Sequence, residues 1–178
     1  QGAPLVPAGD DKLFPNYDFC LNLGGIANVS YREGTLRKAF DICPVNMALN
    51  YLSSLAGQAF DRDGEMASTG QLVPDLLDRL NDLDYYRRIP PKSLGREWFE
   101  QEFKPLVENE KYTVPDRLYT VVEHIVGQIG RDLGCSPGKT VLVTGGGAHN
   151  RFLIERLRQK SKCDICLPDN QSVDFKES

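Results

Sequence analysis

DFCLNLGGIANVSYREGTLRKAFDICPVN, residues 18–46, is the stretch on which the fold turns. It holds three short β-prone runs, DFCLNLGG (Asp18–Gly25), ANVSYRE (Ala27–Glu33) and LRKAFDI (Leu36–Ile42). Gly24-Gly25 and Glu33-Gly34 separate them, and glycine at those points suits the tight turns of an antiparallel meander. Directly afterwards the period changes. Val45, Ala48, Leu49, Leu52 and Leu55 recur at helical spacing up to about Ala56, and Gly57 supplies a stop. Asp41 stands where the third strand is expected to end and the helix to begin.

Downstream, the texture from Gln58 to about Val114 differs, with Gly64, Gly70, Pro74 and Pro90-Pro91 breaking up charged helical stretches around Leu76–Leu83 and Glu97–Val107. This predicts a helical insertion over about 58–114. The strongest helix follows, over Asp116–Gly134. Pro115 stands at its start, and Leu118, Val121, Val122, Ile125, Val126, Ile129 and Leu133 form one apolar stripe. TVLVT (Thr140–Thr144) reads as a buried strand, Gly145–Gly147 as a tight loop, Arg151–Lys160 as a helix and CDICL (Cys163–Leu167) as another buried strand. The order β-β-β-α, insertion, α-β-α-β predicts an α/β fold. Its mixed sheet is a three-stranded antiparallel meander extended by two parallel strands with crossover helices. A leading loop segment, 1–17, precedes a single domain over 18–178.

Of 178 residues, 40% are hydrophobic and 26% charged, as in soluble globular chains. No apolar run approaches the roughly 20 residues that span a bilayer. The formal charge is -4 with basic residues scattered singly, which argues against nucleic acid as a partner. Cys20, Cys43, Cys135, Cys163 and Cys166 make an odd count without disulfide-framework spacing, so reduced thiols and a cytoplasmic location are expected. Cys163 and Cys166 have redox-motif spacing, but within a strand they project to opposite faces and read as core thiols. Asn28-Val29-Ser30 and Asn170-Gln171-Ser172 match a glycosylation triplet by chance. With no initiator Met and a close at DFKES, the chain reads as a fragment.

Two glycine loops could meet a nucleotide. Gly24 and Gly25, with Asn28 soon after, expose backbone amides that a phosphate could approach, although glycine pairs also simply make hairpins. Gly145, Gly146 and Gly147 lie between a buried parallel strand and a helix, at the sheet edge where ligands of open α/β folds bind, and Asn150 doubles as an N-cap. Neither the dinucleotide fingerprint nor a Walker motif is present. Asp41 could take a proton from a hydroxyl or water attacking a phosphoryl group, or could cap the next helix; position does not choose between them. Lys92 or Arg96 in PPKSLGREWF could pair with phosphate, while Ser93 and Glu97 there favour helix capping. FDRDG (Phe60–Gly64) lacks the ligand set of a calcium loop and reads as a solvated turn. His124 and His149 have no ligand partner nearby in sequence.

NLGGIANVS, FDICPVN, AFDRDGEMASTG, PPKSLGREWF and VLVTGGGAHN, in that order, with QGAPLVP ahead of them, resemble the anhydro-N-acetylmuramic acid kinases over nearly the whole chain. The resemblance implies the carboxyl-terminal half of a sugar kinase of the actin, hexokinase and Hsp70 ATPase superfamily, with a ribonuclease H-like domain. It implies the cofactors ATP and Mg²⁺, and a reaction in which water opens the 1,6-anhydro ring of a cell-wall-derived sugar while its 6-oxygen is phosphorylated. By the same resemblance Asp41 is the base that activates the water, and Gly24, Gly25, Gly145, Gly146 and Gly147 contact nucleotide. The partners implied are the anhydrosugar, ATP and the amino-terminal half of the same protein, and a homodimer is allowed. Without that half the chain is expected to be inactive. Cys43 and Val45 stand where family members usually have glycine, and a Cβ there is expected to intrude on a close ligand. A non-catalytic nucleotide- or partner-binding module, and a kinase for another sugar, stand as alternatives.

Overall fold

The computed structural model describes residues 17–134 and 136–168. Along the chain come β1 (Phe19–Leu23), β2 (Ile26–Glu33), β3 (Leu36–Pro44), α1 (Asn46–Leu55), α2 (Glu65–Ser68), α3 (Pro74–Asn81) and α4 (Arg96–Trp98). A π-helical turn (Phe99–Phe103), α5 (Lys104–Val107), α6 (Val114–Leu133), β4 (Thr140–Thr144), α7 (Arg151–Lys160) and β5 (Asp164–Cys166) complete it. The sheet order is β3-β2-β1-β4-β5. β1, β2 and β3 pair antiparallel, and β4 and β5 add on in parallel. This is the mixed sheet that the sequence predicts. β1 is its centre, with Leu21 and Leu23 fully buried.

Helix α6 organises the rest. Its apolar stripe is buried as expected, and each of those side chains contributes roughly 1.5–3 kcal/mol of burial. The stripe is not the whole story, because α1, α2, α3, α7 and β3 pack around the helix and bury polar faces too. Each of these polar side chains has at least one partner, although Arg117 Nε and Gln128 Oε1 are left without one. Thr120 Oγ1 accepts from Val73 N at 2.9 Å, the Arg117 guanidinium donates to Val107 O at 3.0 Å, and Gln128 donates to Asn81 at 2.8 Å. Glu123 is held by Arg156 at 2.6 Å and by Lys160, both on α7. His124 bonds Asn81 at 2.7 Å and Tyr86 at 2.9 Å, and burial lowers its pKa to about 3, so it packs as a neutral ring. The short helices between α1 and α6 are thus fastened to α6 through its polar positions.

Several local expectations need correction. β3 runs on to Pro44, so Asp41 lies inside the strand. Leu55, at the end of α1, is exposed. The turn FDRDG is not solvated at Asp61, which is buried and accepts from Met66 N and Ala67 N at 2.8 Å each, capping α2. The helix after PPKSLG starts behind Gly95 with no side-chain cap, so Ser93 does not serve as one. Cys43 and Cys166 are free thiols, but Cys163, expected as a reduced core thiol, is disulfide-bonded, and its sulfur lies 3.9 Å from Ser136 O. Asn28-Val29-Ser30 is built into β2, with Val29 and Ser30 buried. The leading segment up to residue 16, Cys135 and the Asn170 triplet lie outside the described residues. Among the described residues no helix is long and apolar enough to cross a membrane.

The turn from β4 to α7 is possible only with glycine. Gly145 has φ 84° and ψ 172°, a region essentially closed to other residues. A Cβ there would also come within 2.9 Å of the Leu23 backbone, and one on Gly147 would lie 2.7 Å from Leu23 Cβ. These glycines let the loop lie directly on the end of β1. Gly145→Ala should therefore destabilise the fold by at least about 1–3 kcal/mol, read as a lower urea midpoint with an unchanged slope.

Candidate active site

The loop after β1 is tied to the start of α1. Val45 N and Met47 N donate to Gly25 O at 2.9 and 3.1 Å, and Asn46 N donates to Gly24 O at 3.2 Å. Three of the four free amides of the helix terminus are thereby satisfied by the hairpin's carbonyls. Asp41 does not cap this helix, because its N-cap is Val45, with no side-chain bond. The same hydrogen bonds orient the hairpin. In a planar trans peptide the N–H points opposite to the C=O, so the Gly25 amide is turned away from α1. Gly25 is exposed there. Neither Gly24 nor Gly25 has positive φ, and an added Cβ would meet nothing closer than 3.4 and 3.9 Å respectively. The fold itself does not demand glycine at these two positions.

Asp41 is aimed by a bulge. Asn28 pairs with Asp41 and Ala27 with Cys43, leaving Ile42 unmatched on β3. Such an insertion bends the strand and re-aims its side chains. Asp41 N donates to Lys92 O at 3.0 Å, Leu94 N donates to Asp41 Oδ2 at 2.9 Å, and the Tyr85 hydroxyl donates to Asp41 O at 2.6 Å. Backbone and one carboxylate oxygen are thus both held. The half-buried carboxyl has a raised pKa, chiefly because burial disfavours its charge, and the Leu94 amide offsets this in part.

Pairing register joins Asp41 to a row of polar residues. Thr144 on β4, Asn22 on β1, Asn28 on β2 and Asp41 on β3 are successive cross-strand partners and so share one sheet face. All four are partly exposed. Asn22 stands between the glycine loops, with its Nδ2 3.4 Å from where a Gly24 Cβ would sit and its Oδ1 against Gly145. The structure therefore brings Gly24, Gly25, Asn28, Asp41 and Gly145 to one sheet edge. Gly146 continues onto a cleft of about 330 Å³ lined also by Asn46, Asn50, Phe60, His149 and Asn150. Phe60 is 54% exposed on it, a flat apolar surface beside bare backbone. Gly147 is buried beneath, against Leu23. Asn150 also caps α7, its Oδ1 accepting from Leu153 N at 3.0 Å.

Other sequence candidates fall elsewhere. Lys92 is buried and ion-paired to Asp132, so it is closed to phosphate, and Arg96 is exposed beside Glu100. Cys43 and Val45 are fully buried, their side chains packed into the core, so the expected intrusion of their Cβ atoms on a ligand does not occur. Sequence reading missed Asn22, Thr144 and Phe60. The first two are single polar residues at strand ends, and only the pairing register shows them side by side. No group of three or more His, Cys, Asp or Glu side chains forms a metal cage among the described residues.

Comparison with known proteins agrees with this architecture. The sequence profile of the family described as Anhydro-N-acetylmuramic acid kinase matches residues 1–176. The anhydro-N-acetylmuramic acid kinase of Aliivibrio fischeri is 37% identical over 173 residues, covering 89% of this chain and 46% of that protein. That of Gloeobacter violaceus is 38% identical over 194 residues, covering 100% and 51%. The chain thus spans about half the length of the curated relatives it matches. Among solved structures, the activator of the 2-hydroxyisocaproyl-CoA dehydratase from Clostridium difficile with bound ADPNP superposes with a TM-score of 0.54 at 14% identity, over 90% of this chain and 57% of that one. The (R)-2-hydroxyglutaryl-CoA dehydratase component A of Acidaminococcus fermentans gives 0.52 at 17% identity, over 90% and 58%. At this level of identity the two likenesses show a shared fold. With the family profile matching residues 1–176 and relatives 37–38% identical over 89–100% of its length, the chain belongs to the anhydro-N-acetylmuramic acid kinase family.

Proposed function

We propose that this chain carries the phosphate-facing loops and the water-activating carboxylate of an ATP-dependent kinase for 1,6-anhydro-N-acetylmuramic acid, and that a second half of the same protein completes the site. The relatives' names support the substrate, and the neighbour with bound ADPNP supports the nucleotide. The observation that carries the reading is Asp41, held at Oδ2 by Leu94 N–H and raised in pKa by burial, on the sheet edge shared by both glycine loops. A carboxylate so placed is a base with one oxygen committed and the other, Oδ1, left to receive a proton. The proton of a water attacking the anomeric carbon passes to Asp41, and the C1–O6 bond breaks. The freed 6-oxygen takes the γ-phosphoryl group, and ADP leaves.

The loops have separable tasks in this reading. Gly24 and Gly25 offer a surface without Cβ atoms and an amide facing outward to phosphate. Gly146, with Phe60 across the cleft, takes the nucleoside. A Mg²⁺ ion bound with the nucleotide would take most of its ligands from phosphate and water. Asn22, Asn28 and Thr144 on the polar row would be the side chains placed to hold it or its waters, and the ion would neutralise charge developing on the phosphoryl oxygens. What favoured a binding module without turnover was the side chains of Cys43 and Val45, and both are packed inward.

In the complete polypeptide, Asp41→Asn should reduce kcat by about 10²–10⁴-fold and leave ATP affinity within about threefold, measured by coupled assay and calorimetry. The wild-type kcat should fall on the acid side with a midpoint above the ordinary aspartate value of about 3.9. The raised pKa also means that the folded state pays for the Asp41 charge once pH exceeds that value. Asp41→Asn should therefore melt at or above the wild-type temperature at pH 7, with the difference vanishing as pH falls below the aspartate range. Gly25→Val separates ligand contact from folding. It should weaken ATP binding about tenfold or more while shifting stability by no more than about 1 kcal/mol, since an added Cβ makes only ordinary contact, with Met47 Cε at 3.9 Å.

A further inference from the structure

The segment 92–94 forms the roof over Asp41, and one buried ion pair fastens that segment. Lys92 has a side chain only 3% exposed, and its Nζ lies 2.9 Å from Asp132 Oδ2 on the last turn of α6. The ammonium group also stands over the Tyr85 ring at 5.0 Å and the Phe40 ring at 5.7 Å. A cation there is favoured by the aromatic faces and by the carboxyl end of a helix. Phe40 is the residue before Asp41 in β3, and Tyr85 is the one whose hydroxyl holds Asp41 O. Lys92 itself accepts the Asp41 amide through its carbonyl, and two residues on, Leu94 donates to Asp41 Oδ2.

We propose that Lys92, anchored on Asp132, is a positioning residue that sets the orientation of the Asp41 carboxylate by pinning the 92–94 segment along the open edge of β3. The inference rests on the reading of Asp41 as the base. β3 is an edge strand, so no neighbouring strand fixes its outer amides at Asp41. The segment 92–94 supplies that missing partner for one residue only. Lys92 does not act by its charge on Asp41, because Asp132 already neutralises that charge. It acts by geometry. If the pin is removed, the segment can lift, the bond from Leu94 to Oδ2 is lost, and the carboxylate is free to rotate from its line of approach to water. Displacement of a reacting group by about 1 Å is worth about 10²-fold in rate.

The test uses Lys92→Met in the complete polypeptide, a change that keeps the apolar stem against Phe40 and Tyr85 but removes the ammonium. It should lower kcat by about ten- to a hundredfold with KM for ATP within about twofold, and added to Asp41→Asn it should cause no further loss. Amide hydrogen exchange at Asp41 and Leu94 should accelerate at least tenfold more than exchange in the β1 and β4 amides. Should Asp132, left with only Arg131 Nε at 3.4 Å, prevent folding, Lys92→Met/Asp132→Leu removes both charges, an exchange that buried pairs often tolerate, and is measured in the same way. Unchanged kcat, unchanged protection of the two amides, or a loss that multiplies with that of Asp41→Asn overturns the pin. Asp41→Asn alone tests the base. If that variant keeps full turnover the base reading fails, whereas an inactive Asp41→Asn beside a fully active Lys92→Met removes only the role given to Lys92.

Discussion

The carbonyls of Gly24 and Gly25 receive the first amides of α1, and the arrangement of the whole site follows from that exchange. An exposed helix terminus would ordinarily attract an anion, but here its donors are consumed by the protein. The result is to lock the first hairpin, the end of β3 and the first turn of α1 into one corner. Asn46 adds to it, with Nδ2 donating to Leu23 O at 3.2 Å while lying against Gly146. Both glycine loops are therefore referenced to the same residue of β1, and the outer side of the hairpin is left facing solvent.

The two glycine loops differ in why they are glycine. At Gly145 and Gly147 the backbone conformation and the approach to Leu23 exclude any side chain. At Gly24 and Gly25 the protein leaves room and the conformation is ordinary, so the space a Cβ would take is open to something outside the described chain. A run of glycines in sequence cannot show this distinction, because the reason lies in φ and in a neighbour from another strand. It is also the reason a side chain in one loop strains the fold while one in the other is accommodated.

Much of the fold could be read directly from residue pattern. Three β-prone runs broken by glycine, then the stripe on α6, then TVLVT and CDIC in order, gave the meander and its parallel extension. Boundaries were less legible: β3 ends at Pro44 rather than Ile42, because a bulge at Ile42 carries the strand past Asp41. The site was legible where backbone chemistry demands a residue type, as at Gly145. It was hidden where the partner is distant in sequence. Asn22 joins Asn28, Asp41 and Thr144 only through register, and Ser93 in KSLGRE resembles a cap although Gly95 precedes the helix. The disulfide at Cys163 was hidden in the same way, since nothing local in CDIC distinguishes a half-cystine from a thiol.

The chemistry of Asp41 depends on a balance that the surroundings of β3 maintain. Burial raises the pKa of its carboxyl, and full exposure would leave it an ordinary, weakly basic carboxylate. The Leu94 amide offsets part of the burial without bringing a full positive charge close. A cation in contact would lower the pKa further and make the group a poorer base. The buried cation of Lys92 is instead turned onto Asp132 and two aromatic faces. The architecture around α6 thus does two things for one carboxylate: it anchors the segment that orients Asp41, and it holds the charge of that segment's lysine away from it.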